Sequence, residues 1–328
     1  MRMTAPRTTA NGAMALPQFE VQLAAPDLTP WLAGNTGVPG FTTRDSGQPG
    51  PHVALVSLVH GNEIAGAIAL DRLLAGGFTP SRGRVTFGFA NLAAFARFDP
   101  ADPIASRYID EDMNRIWDKD VLDGPRHSAE LDRAREFRPM IETADVLFDL
   151  HSMLWPSDPL ILCGGTERGR ALGQRVGVPE CVVSDPGHSN GRRLIDYHRF
   201  ADDGVAPVSN LVEAGQHWLR DTVETMLSAI AGLLRSLDMA SDTAPLLPAP
   251  ALPRRSVFAE VTSVVTAKTA GFTFMQPYRG GQVIRHRNTL LAIDGPTDIR
   301  TPYDNCLLVM PSLRPSRGHT AVRLARMG

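Results

Sequence analysis

From residue 52 onward, short apolar runs alternate with apolar stripes of helical spacing. The runs His52–Val59, Val85–Ala90, Val146–Leu150, Pro159–Cys163, Glu180–Val183 and Val208–Val212 are rich in Val, Leu and Ile and too short for helices, so they predict strands. Between them lie helical patterns at Glu63–Leu74, Ser128–Glu142, Arg168–Val176 and Trp218–Met239. The last repeats apolar residues at Leu219, Val223, Met226, Leu227, Ile230, Leu233 and Leu234, a 3.6-residue stripe. Gly76-Gly77 supplies a stop for the first helix, because glycine accepts the left-handed conformation. The alternation predicts an α/β domain with a mixed, largely parallel sheet flanked by helices.

The pattern fails at both ends. Residues 1 to about 50 are rich in Pro, Gly, Thr and Ala and read as a loose arm or edge strands. "DTAPLLPAPALPRR", residues 242 to 255, is a stiff proline-rich connector. Beyond it, "VFAEVTSVV", "GFTFMQP", "TLLAIDG", "NCLLVMP" and "TAVRLAR" are strand-like and separated by turn residues. The expected organisation is a catalytic α/β domain over 1–245 and a small β-domain over 256–328.

Composition narrows the function without naming it. A net charge of −2 leaves no basic footprint for nucleic acid or an acidic membrane surface. The three cysteines, Cys163, Cys181 and Cys306, lie far apart, which argues against a disulfide framework and for a reducing cytoplasm. No apolar run approaches membrane-spanning length, and the N-terminus lacks the apolar core of a signal peptide.

Chemistry concentrates where strands end. In "LVSLVHGNEIAGAIALDRLLAGG" an apolar run stops at His60 and a helical pattern starts at Glu63. In open α/β sheets ligands collect outside the carboxyl ends of strands, where both side chains are placed. Gly61 lets the backbone turn, and Glu63 falls in the first helical turn. HxxE alone is weak, since a capping histidine and a helix-dipole carboxylate account for it equally well. "ADVLFDLHSM" strengthens it: His151 follows the strand Val146–Leu150, again at a carboxyl end. Two His and one Glu with an open fourth position are the composition of a catalytic zinc site. Asp149, polar within an apolar run, could orient a ligand.

Two further segments have the right residue types. "SRYIDEDMNRIWD" combines Arg107, Asn114 and Arg115 with four carboxylates. It reads either as solvated loop charge or as guanidinium groups that clamp a substrate carboxylate and polarise its carbonyl. Glu213, in "APVSNLVEAGQ", ends an apolar strand and could move a proton from water to a departing amine. A competing motif is Gly-His-Ser-Asn-Gly at 187–191, formally the G-x-S-x-G of serine hydrolases, with Ser189 as nucleophile. Asp185-Pro186 interrupts the strand that such an elbow needs, so a loop beside the active site is the plainer account. His127, His188 and His217 read as surface or loop histidines.

"HGNE", "RYIDEDMNR", "DLH" and "VEAG", in this order, resemble the succinylglutamate desuccinylase/aspartoacylase family, relatives of the zinc metallocarboxypeptidases. The resemblance implies a zinc carboxypeptidase-like fold, one Zn2+ per chain held by His60, Glu63 and His151, and Glu213 as general base and acid. It further implies that Arg107 polarises the scissile carbonyl and that Asn114 and Arg115 hold the substrate α-carboxylate. The expected activity is hydrolysis of the amide of a small N-acyl amino acid by metal-activated water. Cleavage of small peptides by the same groups, or a scaffold that only binds metal, are the alternatives. The aspartoacylase branch carries an arginine about ten residues before the catalytic glutamate, where this chain has Asp202 and Asp203. Recognition of an acidic side chain is therefore not implied here, unless Arg192 or Arg193 substitutes. The β-domain is expected to cover the active-site mouth; no nucleic-acid or membrane partner is expected, and a homo-oligomer is compatible with the sequence.

Overall fold

The computed structural model describes residues 19–187, 190–204, 206–251 and 256–328. It divides into two compact units. The larger comprises Val21–Ser152 and Pro159–Phe258. Its strands are β1 (Phe41–Asp45), β2 (His52–Ser57), β3 (Arg84–Phe89), β4 (Val146–Met153), β5 (Leu160–Leu162), β6 (Cys181–Ser184) and β7 (Val208–Gln216). They lie in the order β1-β3-β2-β4-β7-β5-β6. β2 runs parallel to both β3 and β4, and β5 parallel to β6, while β1–β3 and β5–β7 are antiparallel. The mixed sheet is thus as the alternating pattern requires. No helix among the described residues is long and apolar enough to cross a membrane.

The helices are α1 (Ile64–Ala75), two single turns α2 (Leu92–Phe95) and α3 (Lys119–Leu122), α4 (Ala129–Ile141), α5 (Glu167–Val176) and α6 (Arg220–Ser236). The stripe on α6 buries Val223, Met226, Ile230, Leu233 and Leu234 in one core with Leu70 and Leu73 of α1 and Leu172 of α5. Ser128 is the N-cap of α4, its hydroxyl accepting from Leu131 N at 3.0 Å.

Boundaries near the functional residues differ from the periodicity. β2 ends at Ser57 instead of Val59, because Leu58 takes a left-handed turn (φ 57°). Glu63 is the N-cap of α1 and not a residue of its first turn. β4 continues through His151 to Met153, and β7 passes Glu213 to end at Gln216, so both residues lie within strands. Apolarity cannot report those extensions, because polar side chains continue the ladder.

The other unit comprises residues 19–20, Met153–Asp158 and Ala259–Gly328. It contains β8 (Val257–Thr266) from Ala259 onward, β9 (Thr273–Phe274), β10 (Val283–Ile284), β11 (Leu290–Asp294), β12 (Thr297–Arg300), β13 (Cys306–Val309) and β14 (Thr320–Met327). β8, β14, β13 and β10 pair antiparallel, and β12-β11-β9 form a second antiparallel sheet. Its own core gathers Phe272, Phe274, Tyr278, Leu308 and Val322.

Candidate metal centre

The register of β2 on β4 builds the centre. Ser57 lies opposite Leu150, so the chain leaving β2 and residue 151 of β4 reach the same edge of the sheet. There His60, Glu63 and His151, all buried, bring one donor atom each within 4.8 Å of the others. His60 Nδ1 is 2.6 Å from Glu63 Oε1, and His151 Nδ1 is 3.1 Å from Glu63 Oε2. The imidazoles meet edge to face with centroids 5.0 Å apart.

Gly61 is required for a different reason than turning. Its backbone is hydrogen bonded to Arg107 O at 3.0 Å, and a Cβ there would sit 2.5 Å from backbone atoms of Ala94, Phe95 and Ser106. Only a residue without a side chain lets the His60 loop approach these segments.

The outward nitrogens of the histidines face carboxylates. His60 Nε2 is 2.9 Å from Asp112 Oδ1, and His151 Nε2 lies 3.0 Å from Asp149 Oδ2. The second is an ion-pair contact without hydrogen-bond alignment, which leaves both buried Asp149 oxygens and His151 Nε2 without a hydrogen-bond partner among the described residues. Arg107 Nη2 also lies 2.9 Å from His60 Nε2 and donates to Asp112 Oδ2 at 3.2 Å. A nitrogen met by both a donor and an acceptor can satisfy only one of them, so the tautomer of His60 follows from what its Nδ1 binds.

The electrostatics are those of a cation site. Burial opposes ionisation of Glu63, but His60 and His151 together outweigh it and hold the carboxyl well below the usual range. Burial likewise opposes charge on His151, yet Asp149 and Glu63 push it well above an ordinary histidine. Asp112 is held well down against burial by His60 and Arg107. The three donor atoms converge on one region, an arrangement in which a cation would take the place of bound protons. His60 Nδ1 and His151 Nδ1 lie 2.6 and 3.1 Å from the two separate oxygens of Glu63, near the ~3.4 Å expected of tetrahedral bonds about 2.1 Å long. Carboxylates behind both imidazoles are what metal-binding histidines need. The residues fit zinc.

Glu213 is buried, and its Oε2 has no hydrogen-bond partner among the described residues. Burial and the nearby charge of Glu63 push its carboxyl up to about 8. Arg107 is half-buried; burial opposes its charge, but Asp112 and Glu63 keep it firmly cationic. Asn114 is buried in a 3-10 turn, Met113–Arg115, where its Oδ1 accepts from Leu194 N at 2.8 Å. Arg115 donates to Asn114 O at 2.6 Å and lies 4.0 Å from Asp112.

Sequence reasoning left several participants out. Asp112, lost among four loop carboxylates, backs His60. Glu130 is fully buried and accepts from the backbone N–H groups of Ile109, Asp110 and Glu111 at 2.6, 3.0 and 3.1 Å, fixing the loop that carries Arg107 and Asp112. His217, expected to be a surface or loop residue, is buried, bonded to Ser152 Oγ at 2.8 Å and lowered to about 4 by burial. Its position after "VEAG" was the available signal. His127 is exposed and paired with Asp132, as a surface histidine should be.

The acidic pair before Glu213 has structural work. Asp203 accepts from Glu167 N and Arg168 N at the start of α5, and Asp202 accepts from Gly204 N. Arg193 is buried between Asp185 and Asp196, so it does not replace the missing arginine, and Arg192 pairs with Asp118. Ser189 and His188 lie outside the described residues.

Residues 49–159 match the model of the succinylglutamate desuccinylase/aspartoacylase catalytic domain. The likeness to that family holds. A succinylglutamate desuccinylase of Pseudomonas fluorescens is 34% identical over 133 residues, which are 38% of this chain and 37% of the relative. The match therefore spans little more than a third of that curated protein. Among solved structures, the succinylglutamate desuccinylase of Vibrio cholerae aligns with a TM-score of 0.63 at 18% identity, over 88% of this chain and 85% of that one. The enzyme of Chromobacterium violaceum gives 0.64 at 17%, covering 88% and 89%. A product-bound ectoine utilization protein of Ruegeria pomeroyi gives 0.61 at 17%, covering 87% and 88%. At these identities the structural likeness shows the fold. All the residues of the centre except Glu213 and His217 lie inside the matched family segment.

Proposed function

We propose that the chain is a zinc-dependent hydrolase that cleaves the amide bond of a small N-acyl amino acid, with one Zn2+ per chain on His60, Glu63 and His151. The observation that carries the reading is the convergence of three buried donors, two of them histidines whose outer nitrogens are backed by Asp112 and Asp149. The family likeness supports the deacylase class. Zinc, when bound, supplies Lewis-acid polarisation of a carbonyl and acidifies water.

The chain's own groups divide the remaining work. Glu213 takes a proton from the attacking water and delivers it to the departing amine nitrogen. Its buried carboxyl, pushed up to about 8, can hold a proton near neutral pH, which suits the delivery half of that transfer. Arg107 directs its guanidinium N–H groups at the carbonyl oxygen as negative charge develops there. Arg115, with the amide N–H groups of Asn114, receives the α-carboxylate; the Asn114 oxygen is already committed to Leu194.

The test is hydrolysis of a panel of N-acyl amino acids and dipeptides by zinc-loaded protein. Glu213→Gln is expected to lower turnover by about 10²–10⁴-fold while zinc still binds. A chelator should abolish activity, whereas a serine-directed phosphonate should not. Activity that survives metal removal, or an unimpaired Glu213→Gln variant, refutes the proposal; cleavage of dipeptides alone reassigns the substrate to peptides.

A further inference from the structure

We propose that His217 and Trp218 are positioning residues that clamp the His60–Glu63 loop and the His151 strand at metal-binding separation. The inference rests on the reading of His60, Glu63 and His151 as metal ligands.

The two residues directly follow β7, the strand that carries Glu213. His217 Nδ1 is 2.8 Å from Oγ of Ser152, the residue after His151. Trp218 Nε1–H donates at 3.0 Å to O of Asn62, the residue before Glu63. Ser152 closes the circuit, its backbone N–H donating to Glu63 Oε2 at 2.8 Å. One dipeptide thereby grips the chain neighbours of two donors that lie 88 residues apart. Both rings are buried, and they pack against each other with centroids 5.3 Å apart. His217 is not in the donor cluster, so its hydrogen bond is free to act on Ser152 and not on a metal. Buried hydrogen bonds of this kind orient ligands before the cation arrives, so affinity falls when they are cut.

The experiment measures zinc affinity of the full chain by competition with a chromophoric chelator, alongside melting of the metal-stripped protein. His217→Phe keeps the bulk and deletes the bond; His217→Asn keeps a polar atom near the position of Nδ1; Ser152→Ala deletes the bond from the other side. His217→Phe and Ser152→Ala are expected to bind zinc about tenfold or more weakly, with His217→Asn recovering most of the loss. Wild-type affinity in both deletions overturns the clamp, as does a His217→Asn variant no better than Phe. If His217→Phe fails to fold, Ser152→Ala and Trp218→Phe decide the matter by the same criterion. A wild-type chain that binds no zinc fails the underlying metal reading, a result distinct from wild-type-like variants.

Discussion

Glu130→Gln separates the loop-anchoring role of one buried carboxylate from general packing, since the substitution is nearly isosteric. All four groups that Glu130 accepts from are donors: Ile109 N and Asn91 Nδ2 on Oε1, Asp110 N and Glu111 N on Oε2. A glutamine keeps one oxygen and turns an NH2 toward two N–H groups, whichever way it flips. Two charge-assisted bonds, each about 1.5–3 kcal/mol, are lost and two others weaken to neutral ones by about 1 kcal/mol each, so the cost is about 6 kcal/mol. For 328 residues at about 2.1 cal/mol/K each, that is a fall of roughly 9 °C in melting temperature. Because the loop from Arg107 to Asp112 loses its anchor, zinc affinity should fall in the same variant. The assay is thermal unfolding of metal-free protein at fixed scan rate, with chelator competition beside it. A shift below about 1 °C would refute the account of Glu130 as the loop's anchor.

Two other perturbations probe the frame around the site. Gly61→Ala forces a Cβ against two backbone segments that have no flexible end to move, so a cost of at least about 1–3 kcal/mol and weakened zinc binding are expected; a variant that melts and binds zinc like the wild type contradicts the close approach. His52 is buried between Thr143 O and Thr86 Oγ1, and burial lowers its pKa, so the folded chain binds fewer protons there than the unfolded one. Its contribution to stability is therefore complete above the ordinary histidine value of about 6.5 and is lost as pH falls below it. Melting measured from pH 7.5 to 5.5 should decline more steeply in the wild type than in His52→Gln, and parallel slopes would rule this out.

Local pattern determined which segments are strands and helices, and placed His60, His151 and Glu213 toward one edge of a sheet, because burial imprints a period on the chain. The donor types were also legible, since two imidazoles and a carboxylate have few cheap uses inside a protein. Only the tertiary structure decided which groups meet. The β2-β4-β7 neighbourhood brings together residues as far apart as Asn62 and Trp218, and no local period encodes strand order. It likewise chose Asp112 from several loop carboxylates, turned Glu130 inward from an N-terminal helical turn, and buried His217. Those side chains are polar and carry no periodic signal, so their roles exist only through partners that folding supplies.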